Sequence, residues 1–215
     1  MTRARGPRTL KGALVTIDPA DPTPRVIAFK YNPSTLKRSL QPQMVGGDDN
    51  ARSQAVRFTG APSQTITVEI ELDASDDIGD GTQAAVRFAA LPQLAALELL
   101  VYPALAALNE GQRQLASGVM EIAPLTAPRT LFVWGQKRVL PVRIASYEIE
   151  EEFFDTRLNP IRATVTLSMR VLTYGDVTPD NHAYFTFTAY QQALNTIAGS
   201  AASGTAPIGV DSGSL

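Results

Sequence analysis

The chain has 215 residues, a net charge of −2 and no cysteine. That length suits one domain of average-to-large size with appendages, able to bury roughly 70% of the surface its unfolded chain would expose. The missing cysteines exclude disulfides, thiolate chemistry and cysteine-based zinc sites. The near-neutral charge leaves no global basic field to draw nucleic acid or anionic lipid.

Residues 1–9 carry Arg3, Arg5 and Arg8 beside Gly6 and Pro7 and read as a flexible basic arm. The segment has no apolar run of the signal-peptide kind, so synthesis and folding in the cytoplasm are expected. A first strand, Ala13 to Ile17, ends in a turn-rich DPADPTP stretch. A second, Val26 to Tyr31, is stopped by Asn32-Pro33, because proline cannot donate to a ladder. Residues 41–56 have few large apolar side chains and a Gly46-Gly47 pair, and read as a loop. Thr65 to Asp73 alternates cleanly, with Ile66, Val68, Ile70 and Leu72 inward and Thr65, Thr67, Glu69 and Glu71 outward.

An acidic loop is expected from Ala74 to Gly81, followed by a helical insert near 83–109. Pro92 suits the first position of a short helix from Leu91 to Val101, with Leu94, Leu97 and Val101 as its stripe. Phe88 to Leu108 is apolar-rich, but Pro92, Gln93, Glu98 and Pro103 interrupt it, so it should not span a bilayer. Glu121 to Trp134 is strand-like, with pairing confined to its second half by Pro124 and Pro128. Gly135-Gln136-Lys137 turns it into a strand from Arg138 to Glu150. An acidic elbow leads to the last long strand, Arg162 to Tyr174. Its inner set is Ala163, Val165, Leu167, Met169 and Val171, and its outer set includes Thr164, Thr166, Ser168 and Arg170. Phe187, Tyr190, Leu194 and Ile197 then recur at helical spacing, so 179–199 reads as a C-terminal helix capped by Gly199, with a disordered tail over 200–215. The fold class expected is mainly β (α+β): an antiparallel barrel or sandwich over 10–178, with a helical insert and a C-terminal helix.

Chemistry is sparse. The only histidine, His182, sits at a turn beside Asp180 and Asn181, and no Gly-x-Ser-x-Gly elbow accompanies it. Asp73, Asp76, Asp77 and Asp80 lack the spacing of an EF-hand loop and read as a solvated acidic loop. Glu148 and Glu150 share one strand face, and nothing around them suggests a sugar cleft. No Walker A loop or G-x-G-x-x-G is present. No enzyme activity, cofactor or metal is expected. Trp134, the only tryptophan, is either a half-buried cover for the sheet edge or an anchor in a subunit interface.

Several runs in consistent order resemble a known family: Lys11–Val15 (KGALV), Phe29–Leu36 (FKYNPSTL), Pro92–Pro103 (PQLAALELLVYP), Leu131–Gly135 (LFVWG), Val139–Ile144 (VLPVRI), and Phe154-Asp155 with Leu158–Ala163 (LNPIRA). Together they are similar to the tube-type domain of contractile injection system proteins, and in particular to the baseplate adaptor of phage-tail-like particles, often described as a LysM protein. The resemblance covers about residues 10–190. It implies a barrel related to the tail tube, assembled with itself as a six-fold ring between the inner tube and the spike hub, alongside other baseplate proteins. It further implies assembly in the cytoplasm into a particle that is released or acts at a target envelope, with no nucleic-acid partner and no direct membrane insertion. Relatives often carry a C-terminal LysM domain; here a Gly/Ser/Ala-rich tail stands in its place.

Tyr31, Asn32, Pro33, Trp134, Phe154, Asp155, Asn159 and Arg162 are the candidate assembly contacts. Thr67, Glu69, Glu71, Thr164, Thr166, Ser168 and Arg170 are the candidate lumen or inter-subunit face. The arginine arm could dock on an acidic patch, such as residues 69–80, of a neighbour. The competing reading is a monomeric β-barrel module that binds a small ligand or peptide.

Overall fold

A computed structural model describes residues 10–17, 23–45, 57–103, 105–118 and 128–201. The expected arm (1–9), most of the expected tail and residues 46–56 of the expected 41–56 loop lie outside them. Nine strands and five helices are seen among the described residues. They are β1 (Ala13–Ile17), β2 (Arg25–Ala28), β3 (Leu36–Gln41), β4 (Met44–Val45), β5 (Arg57–Phe58), β6 (Ser63–Asp73), α1 (Ser75–Gly79), α2 (Gln83–Phe88), α3 (Leu91–Glu98), α4 (Leu105–Ala116), β7 (Arg129–Val133), β8 (Val139–Phe154), β9 (Pro160–Val171) and α5 (His182–Ala201).

Seven strands form one antiparallel sheet in the order β2-β1-β7-β8-β9-β6-β3, while β4 and β5 pair apart from it. The mainly β architecture expected from the alternation is therefore present. In a flat sheet β2 and β6 would lie five strand spacings apart, about 24 Å. Instead Ile27 and Phe29, at and just after β2, line one depression with Ile70 and Leu72 of β6, and α3 stands between them. The sheet must curl strongly to bring them there. Lys30 closes the same seam, donating from Nζ to the Asp73 carbonyl at 2.7 Å and pairing with Asp77 at 2.9 Å.

The inward set of β9 and its partners on β6 are fully buried, and they share one core with Leu14, Phe132, Leu140, Leu94, Leu97, Phe187 and Tyr190. Helix α3 covers part of the inner face and α5 another part. Arg38, on the inner side of edge strand β3, donates to the Tyr190 hydroxyl at 2.9 Å and so ties that edge to α5. Burying two aromatic side chains of α5 stabilises by about 2–3 kcal/mol each, which holds the helix against the sheet.

Several boundaries differ from the sequence reading. Strands β3 and β4 were not expected, and Gln41 and Met44–Val45 are paired strand where the sequence reads as loop. The acidic stretch contains a helical turn, α1, whose entry is set by the Ser75 N–H donating to Asp73 Oδ1 at 2.8 Å. In α3 the buried stripe is Leu94 and Leu97, followed by Leu100 rather than Val101. Gly199 does not cap the last helix, which runs through it to Ala201. Of that helix's predicted stripe, Phe187 and Tyr190 are buried, but Leu194 and Ile197 remain exposed.

Candidate assembly surfaces

The outward face of β6, β9 and β8 is built from aligned rows. Register places Glu71, Thr164 and Glu150 side by side, then Glu69, Thr166 and Glu148, then Thr67, Ser168 and Ser146. Beyond them come Thr65, Arg170 and Arg143, so the face changes from acidic to basic along the strands. A bulge between Ile144 and Ser146 keeps this arrangement. It re-phases β8 so that Ile144 and Tyr147 both point inward and Glu148 and Glu150 both point out. At the acidic end, Arg162 pairs with Asp73 at 2.9 Å. The Ser75 hydrogen bonds, with Arg162 adding to them, hold the Asp73 carboxyl down at about 2. At the other end Arg170 pairs with Asp176 at 2.9 Å. Burial of Asp176 pulls its pKa upward, but hydrogen bonds from Thr173 and the Arg170 charge outweigh it and leave the group lowered. All seven residues expected on this face share it, and Glu148, Glu150 and Arg143 join them.

The elbow between β8 and β9 is a rigid tip. Asp155 Oδ1 accepts from the N–H groups of Arg157 (2.7 Å) and Asn159 (2.8 Å), and its Oδ2 accepts from the Asn159 amide at 2.8 Å. The Asn159 contacts are the main reason the Asp155 carboxyl is held below its ordinary range. Asn159 also donates to the Arg87 carbonyl at 3.3 Å, fastening the tip to α2. This cage presents apolar side chains to solvent: Phe153 is 64% exposed, Phe154 51% and Leu158 80%. Phe153 and Leu158 both have positive φ, 55° and 64°, where a side chain other than glycine's is strained. The Arg162 guanidinium lies 5.5 Å from the Phe153 ring centroid. Of the sequence candidates, Phe154, Asp155, Asn159 and Arg162 are therefore gathered in one region. Phe153 and Leu158 were missed, because positive φ leaves no mark in composition or periodicity.

Asn32 pins the start of the described chain. Its side-chain oxygen accepts from the Gly12 N–H and its amide donates to the Leu10 carbonyl, both at 2.8 Å. Tyr31, Asn32 and Pro33 line a depression of about 200 Å³ together with Ser34, Thr35, Glu69 and Glu71, so this loop borders the acidic rows. Trp134 is half-buried. It stacks on Phe132 at 5.9 Å and covers Gly12 beside Phe29, an arrangement that closes the end of β7. The described residues contain no cluster of three or more metal-ligating side chains, and none of their helices is long and apolar enough to cross a membrane.

No family model matches the sequence, and no curated protein matches it. Among solved structures the chain is similar to one in the cryo-EM structure of the anti-feeding prophage (AFP) baseplate, 6-fold symmetrised. The two share 12% identity over 79% of this chain and 93% of that one, with a TM-score of 0.29, a coarse likeness.

Proposed function

We propose that this chain is a structural component of the baseplate of a contractile, phage-tail-like particle, forming a ring that joins the inner tube to the spike hub and catalysing no reaction. The observation that carries the proposal is the ordered set of runs from Lys11 to Ala163 that resemble tube-type baseplate adaptors. Two of those runs build surfaces suited to contact. Phe29–Leu36 forms the loop beside the acidic rows, and Phe154–Ala163 forms the caged tip with its exposed apolar side chains. A head-to-tail contact that closes on rotation gives a ring, and such a contact uses two different surfaces of one chain. The acidic-to-basic face of β6, β9 and β8 provides a wall for a lumen or a neighbour.

Native mass spectrometry of the purified chain, followed by co-expression with tube, hub and sheath proteins, tests this. The expected outcome is a closed oligomer, with six copies as the leading stoichiometry, or recruitment into particles. A chain that stays monomeric and never co-purifies with those proteins overturns it. That result would favour the binding-module reading, for which the apolar depressions of about 730 Å³ and 620 Å³ flanking Leu100 are the candidate sites.

A further inference from the structure

Resting on the self-association proposed above, we infer that the caged β8–β9 tip of one copy seats in a groove of about 620 Å³ on a second copy, between the start of α5, β7 and the start of β8. The first observation is the groove's lining. Leu100, Leu131, Ile144 and Leu172 make it apolar, and it carries Arg129 and Arg143 with no carboxylate. Both arginines are exposed, and neither makes an ion pair among the described residues. Asp176, which the Arg143 charge reaches, is already held by Arg170 and Thr173. Two unpaired cations beside an apolar groove fit an apolar segment flanked by acids.

The second observation is that the tip is such a segment. Phe153, Phe154 and Leu158 are exposed on a backbone already fixed by the Asp155 and Asn159 network, so seating them orders little further chain. A buried aromatic side chain removes about 150–250 Å² from water, and the tip offers two. From Glu150 to Leu158 the chain carries Glu150, Glu151, Glu152 and Asp155 against a single cation, Arg157. Asp155 is engaged within the cage, whereas the three glutamates enter no ion pair among the described residues. They match the groove's arginines in sign. The third observation is placement. Arg143 and Ile144 lie near the start of β8 and Leu172 just past β9, while Phe153 and Phe154 close β8 at its other end. The strand between Ile144 and Phe153 measures about 25–30 Å. A tip therefore cannot reach the groove of its own chain. The contact joins two copies through different surfaces, which is the head-to-tail arrangement that a ring requires.

The absence of cysteine makes the test direct. Val101 is an exposed member of the groove lining. A chain carrying Leu158→Cys and Val101→Cys should give a ladder of covalent oligomers on a non-reducing gel after mild oxidation. A bond within one chain is excluded, because disulfide partners need Cα atoms within about 7 Å. The ladder should weaken roughly tenfold when Gln192→Cys on the exposed side of α5 replaces Val101→Cys, since only docked sites gain effective concentration. In the cysteine-free chain, Arg129→Glu with Arg143→Glu should raise the dissociation constant roughly tenfold by mass photometry, and adding Glu151→Lys with Glu152→Lys should restore it. Assembly indifferent to these reversals, or an equally strong ladder through Gln192→Cys, overturns the inference. So does slow maleimide labelling of Val101→Cys at dilutions where the chain is monomeric, because the groove would then be filled by its own chain. Closed oligomers in native mass spectrometry without the ladder leave the ring standing and remove this contact. A ladder that grows without closing keeps the contact and removes the ring.

Discussion

A methyl group added at Gly12 would lie 2.7 Å from Trp134 Cζ3 and 2.8 Å from Phe29 Cδ2. Those rings are fixed by the stack on Phe132 and by the core, so the clash cannot be relieved by a flexible side-chain end. Gly12→Ala should therefore destabilise by about 1–3 kcal/mol, read as a shift in the denaturant midpoint with an unchanged slope. Asp73 makes a pH-dependent prediction. Its folded pKa of about 2 lies below the ordinary 3.8, so its contribution is complete above pH 4 and is lost as pH falls from about 4 towards 2. Its carboxylate is 22% exposed, so solvent screening reduces the shift to about 1–2 kcal/mol of stability. Between pH 5 and 2 the wild-type chain should lose that much more than Asp73→Asn. Parallel stability curves for the two chains would exclude the contribution. Neither site was legible in the sequence. Gly12 looks like any glycine before a strand, and Asp73 was placed in a solvated loop. Gly12 matters through Trp134 and Phe29, which are remote in sequence, whereas Asp73 is held chiefly by Ser75, two residues on, with the remote Arg162 adding to it.

Strand β9 was legible because its inner residues Ala163, Val165, Leu167, Met169 and Val171 alternate without a break, and burial on one side imposes that pattern. Strand β8 was legible only in outline. Its inward residues switch from even positions, Leu140, Val142 and Ile144, to odd ones, Tyr147 and Ile149, and the bulge absorbs the change. Edge strand β3 was missed because Lys37, Arg38 and Ser39 give it no apolar alternation, and the inward position is taken by Arg38, which reaches Tyr190. The bulge has a testable consequence. Deleting Ala145 leaves Ile144 opposite Met169 and Ser146 opposite Ser168, so every flanking residue keeps its face. Deleting Thr166 from β9, which has no bulge, turns one side of that strand over and drives polar residues into the core. The first variant should keep a cooperative unfolding transition. The second should fail to fold, because burying the wrong face exceeds a net stability of about 5–15 kcal/mol. Far- and near-ultraviolet circular dichroism separates these outcomes, and an Ala145 deletion without near-ultraviolet signal would show that the bulge is required for packing.

At the scale of the whole molecule, the caged tip allows stability and assembly to be tested separately. Leu158 keeps a large apolar side chain 80% exposed at a backbone angle that disfavours it, with the Asp155 and Asn159 network holding the conformation. A residue whose role was only to close the turn would be better as glycine. Leu158→Gly relieves roughly 1–2 kcal/mol of left-handed strain and returns up to about 1 kcal/mol of unfolded-chain entropy, so monomer stability should change by less than about 1 kcal/mol. If the tip seats in another subunit, the same change removes a side chain worth about 1.5–3 kcal/mol on burial. The dissociation constant should then rise roughly tenfold to a hundredfold, since each 1.4 kcal/mol is a factor of ten. Phe153→Ser should behave in the same way, while Gln192→Ser on the exposed side of α5 should change neither quantity. Thermal melts and mass photometry over a dilution series measure the two quantities independently. Weaker assembly at unchanged melting temperature identifies the tip as a contact, whereas unchanged assembly would remove it from the candidates and leave the Tyr31–Pro33 loop, Trp134 and the outward face of β6, β9 and β8 to be tested in the same way.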